Sequence, residues 1–272
     1  MEKQQDNLLM KPRSYRNVIA AGFRLYTENF RRLFKASWLM VLLYALCCGA
    51  TSTLTAVLFT KLSFTMSLSI LTAAFLLAYL TQTLAMATIL AKLKEHKDTG
   101  TISIPARWLS VSRQMMLRTL KASLACLLCS IVLLVLFPLI LPLFHVFMKY
   151  LMEPSRKFWA TLKNYYGKGL RHWGFIFLVM LISGLIVCLA ELVITLPSLI
   201  LSLANQTAQA GVLMGDPLGM PSYIHLLTFV TGALCSFMGF YVCLPILFHT
   251  YYIYGSIETQ EQEREQQKLD IQ

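Results

Sequence analysis

Residues 118–150 read RTLKASLACLLCSIVLLVLFPLILPLFHVFMKY, and the path of this run decides the architecture. No acid, lysine or arginine interrupts it between Ser123 and Met148, yet both flanks are strongly basic. Residues 92–121 hold Lys92, Lys94, Lys97, Arg107, Arg113, Arg118 and Lys121 against Glu95 and Asp98. Residues 149–171 hold six cations against Glu153 alone. Lysine and arginine collect at the cytoplasmic ends of membrane spans, so both flanks are expected on one side. A single crossing cannot satisfy that. Two crossings or a re-entrant hairpin can, with the break at Pro138 and Pro142, where proline removes backbone donors. Each arm would then have about 14 residues, roughly 21 Å at 1.5 Å per residue. That is short of a hydrocarbon core of ~30 Å.

Working outward, the remaining cations fall into the same pattern. Residues 1–36 carry eight against Glu2, Asp6 and Glu28, so three short segments hold 21 of the 24 lysines and arginines. Only Lys61, Arg264 and Lys268 lie elsewhere. The 272 residues are 57% apolar and 14% charged, with a net charge of +11 and a mean hydropathy of +0.61. A water-soluble domain carries nearer a quarter charged residues. The composition therefore excludes a soluble enzyme, a disulfide-stapled secreted module and a nucleic-acid-binding domain.

The expected class is an all-α, polytopic membrane protein. Its spans lie at about 37–60, 66–91, 123–148, 173–196 and 223–254, within one transmembrane domain over 15–255. Residues 1–14 are expected to form a cytoplasmic tail. Residues 256–272, with five acids and two cations from Ile257 onward, are expected to form a charged, solvated cytoplasmic tail. The first apolar run begins near Ala36 behind a long charged segment, which reads as an uncleaved span and not as a signal peptide. Depending on the third stretch there are five or six crossings. Six would return both termini to the cytoplasm.

An internal repeat runs through these elements. Arg31-Arg32-Leu33-Phe34-Lys35-Ala36-Ser37 leads into the first span, and Arg118-Thr119-Leu120-Lys121-Ala122-Ser123 into the third stretch. Gly169-Leu170-Arg171-His172-Trp173 leads into the fourth. Each follows an amphipathic segment, the first with Val18, Ile19, Phe23, Tyr26, Phe30 and Leu33 at helical spacing. All four tryptophans, Trp38, Trp108, Trp159 and Trp173, fall in or beside these segments as interfacial anchors, since indole favours the headgroup level. The expected fold is three units, each an interfacial basic helix followed by a membrane hairpin.

This pattern resembles the uncharacterised six-span bacterial membrane-protein families. It is similar to the membrane domain attached to some glycerophosphoryl diester phosphodiesterases. The resemblance spans roughly residues 15–255, with the paired Lys-Ala-Ser its most specific element. It carries over no catalytic residue and implies a bacterial inner membrane.

Few residues point to chemistry. Glu191 is the only acid within an apolar span, a candidate coupling carboxylate or the partner of Lys61 in an ion pair at the outer interface. Cys126 and Cys129 share a helix face, but cysteine within a span is usually a small apolar packing residue. The five histidines show no metal-ligand spacing, so neither metal nor cofactor is expected. The candidate contacts to anionic lipid are Arg16, Arg24, Arg31, Arg32, Lys35, Arg113, Arg118, Lys121, Lys163 and Arg171. The leading expectation is an integral inner-membrane protein without chemistry of its own, which organises anionic lipid or an acidic cytoplasmic protein. The alternative is a small permease using the Pro-broken third stretch and Glu191. A second alternative is a membrane-embedded enzyme acting on a lipidic substrate.

Overall fold

The computed structural model describes residues 9–61, 63–103, 111–132, 139–153, 155–215, 221 and 223–270. They are helical, and no strand occurs among them. The helices are α1 (Tyr15–Lys61), α2 (Phe64–Thr99), α3 (Arg113–Val132), α4 (Leu141–Met152), α5 (Phe158–Arg171), α6 (Trp173–Leu213) and α7 (Tyr223–Asp270). Four of them, α1, α2, α6 and α7, are long and apolar enough to cross a membrane.

Local chemistry explains where the helices begin and end. Gly100 and Gly215 adopt positive φ just past α2 and α6, the left-handed conformation that closes a helix and favours glycine. The Ser112 hydroxyl accepts from the Met115 amide and caps α3. Pro142 occupies the first turn of α4, where its missing N–H costs nothing. Pro197 and Pro245 lie inside continuous helices. Helix α6 therefore runs on to Leu213, well past the expected end at 196. Neighbouring side chains and local adjustment can re-satisfy the freed carbonyls in such helices.

The chain divides into two compact units. The first comprises Met1–Ala36, Met86–Val187 and Leu244–Gln272; the second comprises Ser37–Ala85 and Cys188–Cys243. Charge separates them sharply. Among the described residues every lysine and arginine except Lys61 belongs to the first unit, and so does every acid except Glu191. The three basic segments read from the sequence are thus parts of one body.

The first unit has a conventional core. Val18, Leu25 and Leu33 of α1 are buried, as are Ile89 and Leu93 of α2 and Phe248, Tyr251 and Tyr252 of α7. Phe23 meets the His249 ring edge-on at 4.7 Å, and Tyr26 meets Phe248 at 5.4 Å. Helix α4 is buried along almost its whole length and packs on α5, where Phe147 stacks on Phe158 at 6.0 Å.

The third apolar stretch is accordingly two helices, α3 and α4. Residues 133–138, and with them Pro138, lie outside the described residues. Arg118, in α3, donates to the carbonyl oxygens of Tyr150, of Glu153 at 2.9 Å and of Arg156 at 3.4 Å. Its guanidinium also lies 4.0 Å from the centre of the Tyr150 ring. The two basic flanks of the stretch are adjacent, so the chain reverses between them. At 12 residues α4 is only about 18 Å long.

The second unit resembles a bundle in lipid. Large apolar side chains such as Leu76, Leu77, Leu189, Leu192 and Leu226 point outward, while small residues sit where helices meet. A Cβ on Gly49 of α1 would lie 2.6 Å from the Phe229 carbonyl oxygen of α7. One on Gly232 would lie 3.0 Å from the Ser52 hydroxyl. Small residues let backbones approach closely where lipid removes the hydrophobic drive between helices.

Candidate functional site

Helix α7 continues to Asp270 and carries an acidic stripe into the first unit. Glu258, Glu261 and Glu265 recur at i, i+3 and i+7, which places them on one helical face. Glu258 lies 3.1 Å from His145 Nε2 and is paired with Lys149. Glu261 lies 3.0 Å from His172 Nε2 and 3.2 Å from Arg171. Glu265 lies 2.9 Å from Lys168. Ser256, Ile257, Glu258 and Glu261 are buried. The expected tail from 256 is helical to Asp270; its first part, through Glu261, is buried because its acids meet cations and histidines, while residues 262–270 are exposed as expected of a solvated segment.

A fourth carboxylate extends the network. Glu153 pairs with Arg156, lies 3.3 Å from Lys149 and accepts from the Tyr254 hydroxyl at 3.2 Å. Burial alone would raise the Glu153 pKa, but the Arg156 hydrogen bond and the Lys149 charge outweigh it and hold the group below its usual range. The hydrogen bond to Glu265 raises the Lys168 pKa against a smaller opposing effect of burial. The described part of the expected N-terminal tail, from Leu9, is tied down too: the Arg13 amide donates to the Ser256 hydroxyl at 3.0 Å. Beside it Lys11, Arg13, Asn17, Arg24 and Tyr252 line a cleft of about 210 Å³.

The ten cations expected to meet lipid divide into two groups. Arg118 is buried and spent on backbone carbonyls. Arg24 pairs with Glu28 at 3.0 Å, Arg32 donates to the Ile102 carbonyl at 2.8 Å and Arg171 meets Glu261. Arg16, Arg31, Lys35, Arg113, Lys121 and Lys163 are exposed, with no carboxylate within 4 Å among the described residues. Of the tryptophans, Trp159 is 76% exposed and Trp38 is exposed. Trp173 stacks on Phe177 at 5.1 Å, and Trp108 lies outside the described residues.

In the second unit Glu191 is half-buried and accepts from the Cys243 thiol at 3.2 Å. A Cβ on Gly239 would sit 2.9 Å from Glu191 Oε1, so this glycine makes room for the carboxylate. Tyr44 is near enough to feel its charge. Lys61, whose side chain lies outside the described residues, is 17 residues beyond Tyr44 on α1, about 26 Å along the axis. The expected Glu191–Lys61 pair thus lies outside the described residues. Cys126 is half-buried, and the side chain of Cys129 lies outside the described residues. Among the described residues no three His, Cys, Asp or Glu side chains converge as a metal site would require.

Sequence reasoning missed Glu153, Glu258 and Glu261. The i, i+3, i+7 acidic spacing was the available signal, but it needs a partner 90 to 113 residues away to acquire meaning. Comparisons with protein-family models, curated proteins and solved structures returned no match.

Proposed function

We propose that this chain is an integral membrane protein without chemistry of its own, whose first unit offers a basic surface to anionic lipid headgroups. One observation supports the reading above others. The buried acids of the first unit are consumed internally, while Arg16, Arg31, Lys35, Arg113, Lys121 and Lys163 remain exposed. Each cation near an anionic surface contributes ~1 kcal/mol, and the effect falls off within a Debye length.

The second unit serves as the anchor in this reading. Helices α1, α2, α6 and α7 cross, and α3 with α4 forms a hairpin that does not cross in full. An even number of crossings returns both termini to one side, which the basic bias assigns to the cytoplasm. Exposed Trp38 and Trp159 mark the headgroup level. The same surface would dock an acidic segment of a cytoplasmic protein. By its sequence resemblance the membrane is a bacterial inner membrane.

The test compares lipid retained by the full chain after purification from a mixture of phosphatidylglycerol and phosphatidylcholine, read by native mass spectrometry. The wild type should retain phosphatidylglycerol preferentially. A variant with the six exposed cations changed to Gln should lose that preference while keeping its helical circular dichroism. Unchanged preference would remove the proposal.

A permease is the second reading, supported by the placement of Glu191 between Cys243 and Gly239 in the apolar unit. Ionisable groups inside spans commonly mark ion or substrate paths.

A further inference from the structure

The second unit contains a polar cavity of about 360 Å³ lined by Ser52, Thr55, Ser198, Ser202, Asn205 and Thr228, among others. These come from α1, α6 and α7, and no charged side chain lines it. Its volume falls at the lower end of the range for ligand pockets, about 300–1,000 Å³.

A solvated helix end would be polar all round, and this one is not. Ser198, Ser202 and Asn205 lie on one face of α6, following the i, i+4, i+7 spacing. At the same level Leu199, Ile200 and Leu203 face outward, 54%, 61% and 54% exposed. The helix therefore shows both apolar and polar side chains to its surroundings, since Ser202, Gln206 and Thr207 are also exposed, with Ser198, Ser202 and Asn205 grouped on the face that lines the cavity. Uncharged polar side chains in an apolar bundle either bond across helices or line a site open to a ligand or solute, and here they line a cavity.

The hydrogen bonds specify the ligand. Ser52 donates its hydroxyl hydrogen to the Cys48 carbonyl at 2.9 Å, Thr55 to Ser52 at 2.8 Å and Thr228 to Ile224 at 2.8 Å. Their oxygens thus remain as acceptors, and the Asn205 carboxamide adds both a donor and an acceptor. A charged ligand would leave water without gaining a counter-ion there. We infer that the cavity binds an uncharged, polyhydroxylated group, either a free sugar or polyol or the sugar headgroup of a glycolipid. Gly232 keeps the Ser52 wall in place, since a Cβ there would lie 3.0 Å from the Ser52 hydroxyl.

The inference rests on the second unit lying in a bilayer, and not on the lipid preference of the first. The test uses the full chain with its native cysteines changed to Ala and Ser202→Cys added, in nanodiscs, where both faces are open to reagent. Modification by a membrane-impermeant maleimide is followed in three settings: phosphatidylcholine discs alone, the same discs with glucose, and discs containing monoglucosyl diacylglycerol. Slowing by glucose identifies a solute site, and slowing only by the glucolipid identifies a headgroup site; either supports the inference. Choline and inorganic phosphate should give no slowing. Adding Asn205→Leu should weaken the protection about tenfold, the effect of losing one or two neutral hydrogen bonds. No labelling without ligand, no protection by either sugar, or protection unchanged by Asn205→Leu would each overturn it. Equilibrium dialysis of wild-type chain against radiolabelled glucose, in plain and glucolipid-containing discs, checks the result without the cysteine changes. Where glucose slows labelling it should bind in plain discs and less in glucolipid discs, and where only the glucolipid slows labelling no glucose should bind; the reverse in either case would overturn the inference.

Discussion

The Arg118 guanidinium lies 4.0 Å from the centre of the Tyr150 ring and donates to the Tyr150 carbonyl, so two residues at opposite ends of one apolar stretch are held side by side. This contact turns a charge argument into geometry. Two basic flanks that positive-inside reasoning places on one side are physically joined.

Removing the clamp should loosen the hairpin. Arg118→Ala deletes charge-assisted hydrogen bonds, each with a net contribution of about 1.5–3 kcal/mol. The expected outcome is a loss of about 2 kcal/mol or more in stability, read by thermal unfolding of the purified chain. Arg118→Lys should recover only part of it, since an ammonium cannot span several carbonyls as the guanidinium fork does.

The Lys149–Glu258 pair should show the asymmetry of buried ion pairs. Glu258→Leu alone leaves the buried Lys149 with only Glu153, at 3.3 Å, as a partner, at an expected cost of about 3 kcal/mol, the low end for breaking a buried pair. Adding Lys149→Met should return most of that. A double variant as unstable as the single one would show that the pair contributes more than mutual neutralisation.

Acid should weaken the first unit through Glu153. Its folded pKa is depressed below the ordinary value of 4.5. A depressed carboxylate contributes stability that is fully present above the unfolded pKa and lost as pH falls through the folded one. The melting temperature should therefore hold from neutral pH to about 5 and drop below about 4.5. The difference between wild type and Glu153→Gln should shrink over the same window. A difference that stays constant to pH 3 would contradict the assignment.

Glycines in the second unit should differ in tolerance. Gly49→Ala brings a Cβ to 2.6 Å from the Phe229 backbone oxygen, which cannot move without shifting α7. Overpacking of this kind costs about 1–3 kcal/mol. Gly239→Ala meets only the end of the Glu191 side chain, at 2.9 Å, which can rotate away. Thermal unfolding should rank Gly49→Ala as the more damaging. In a coupled permease Glu191→Gln would abolish uptake, whereas an anchor would keep both its localisation and its lipid preference.

Much of this fold was legible because hydropathy and charge act locally. The long apolar helices and the start of a new helix at Pro142 follow from short windows of sequence. The docked C-terminal helix was not legible. Glu258 looks like any solvated acid until His145 and Lys149, more than 100 residues away, are placed beside it. Helix α4 misled in the opposite sense, since its apolar run serves a protein core, and composition alone does not separate a core helix from a lipid-facing one. Pro197 likewise reads as a helix end in sequence, although the surrounding bundle carries α6 through it.

The most direct test of the account places a single cysteine at Lys163 (Lys163→Cys) in a functional chain lacking its native cysteines. A membrane-impermeant thiol reagent is then applied to intact cells and to opened ones. The account predicts labelling only after the cells are opened, with the basic surface on the cytoplasmic side and residues 118–150 returning to it. Labelling of intact cells would put Lys163 outside and contradict the basic-face reading together with its lipid partner.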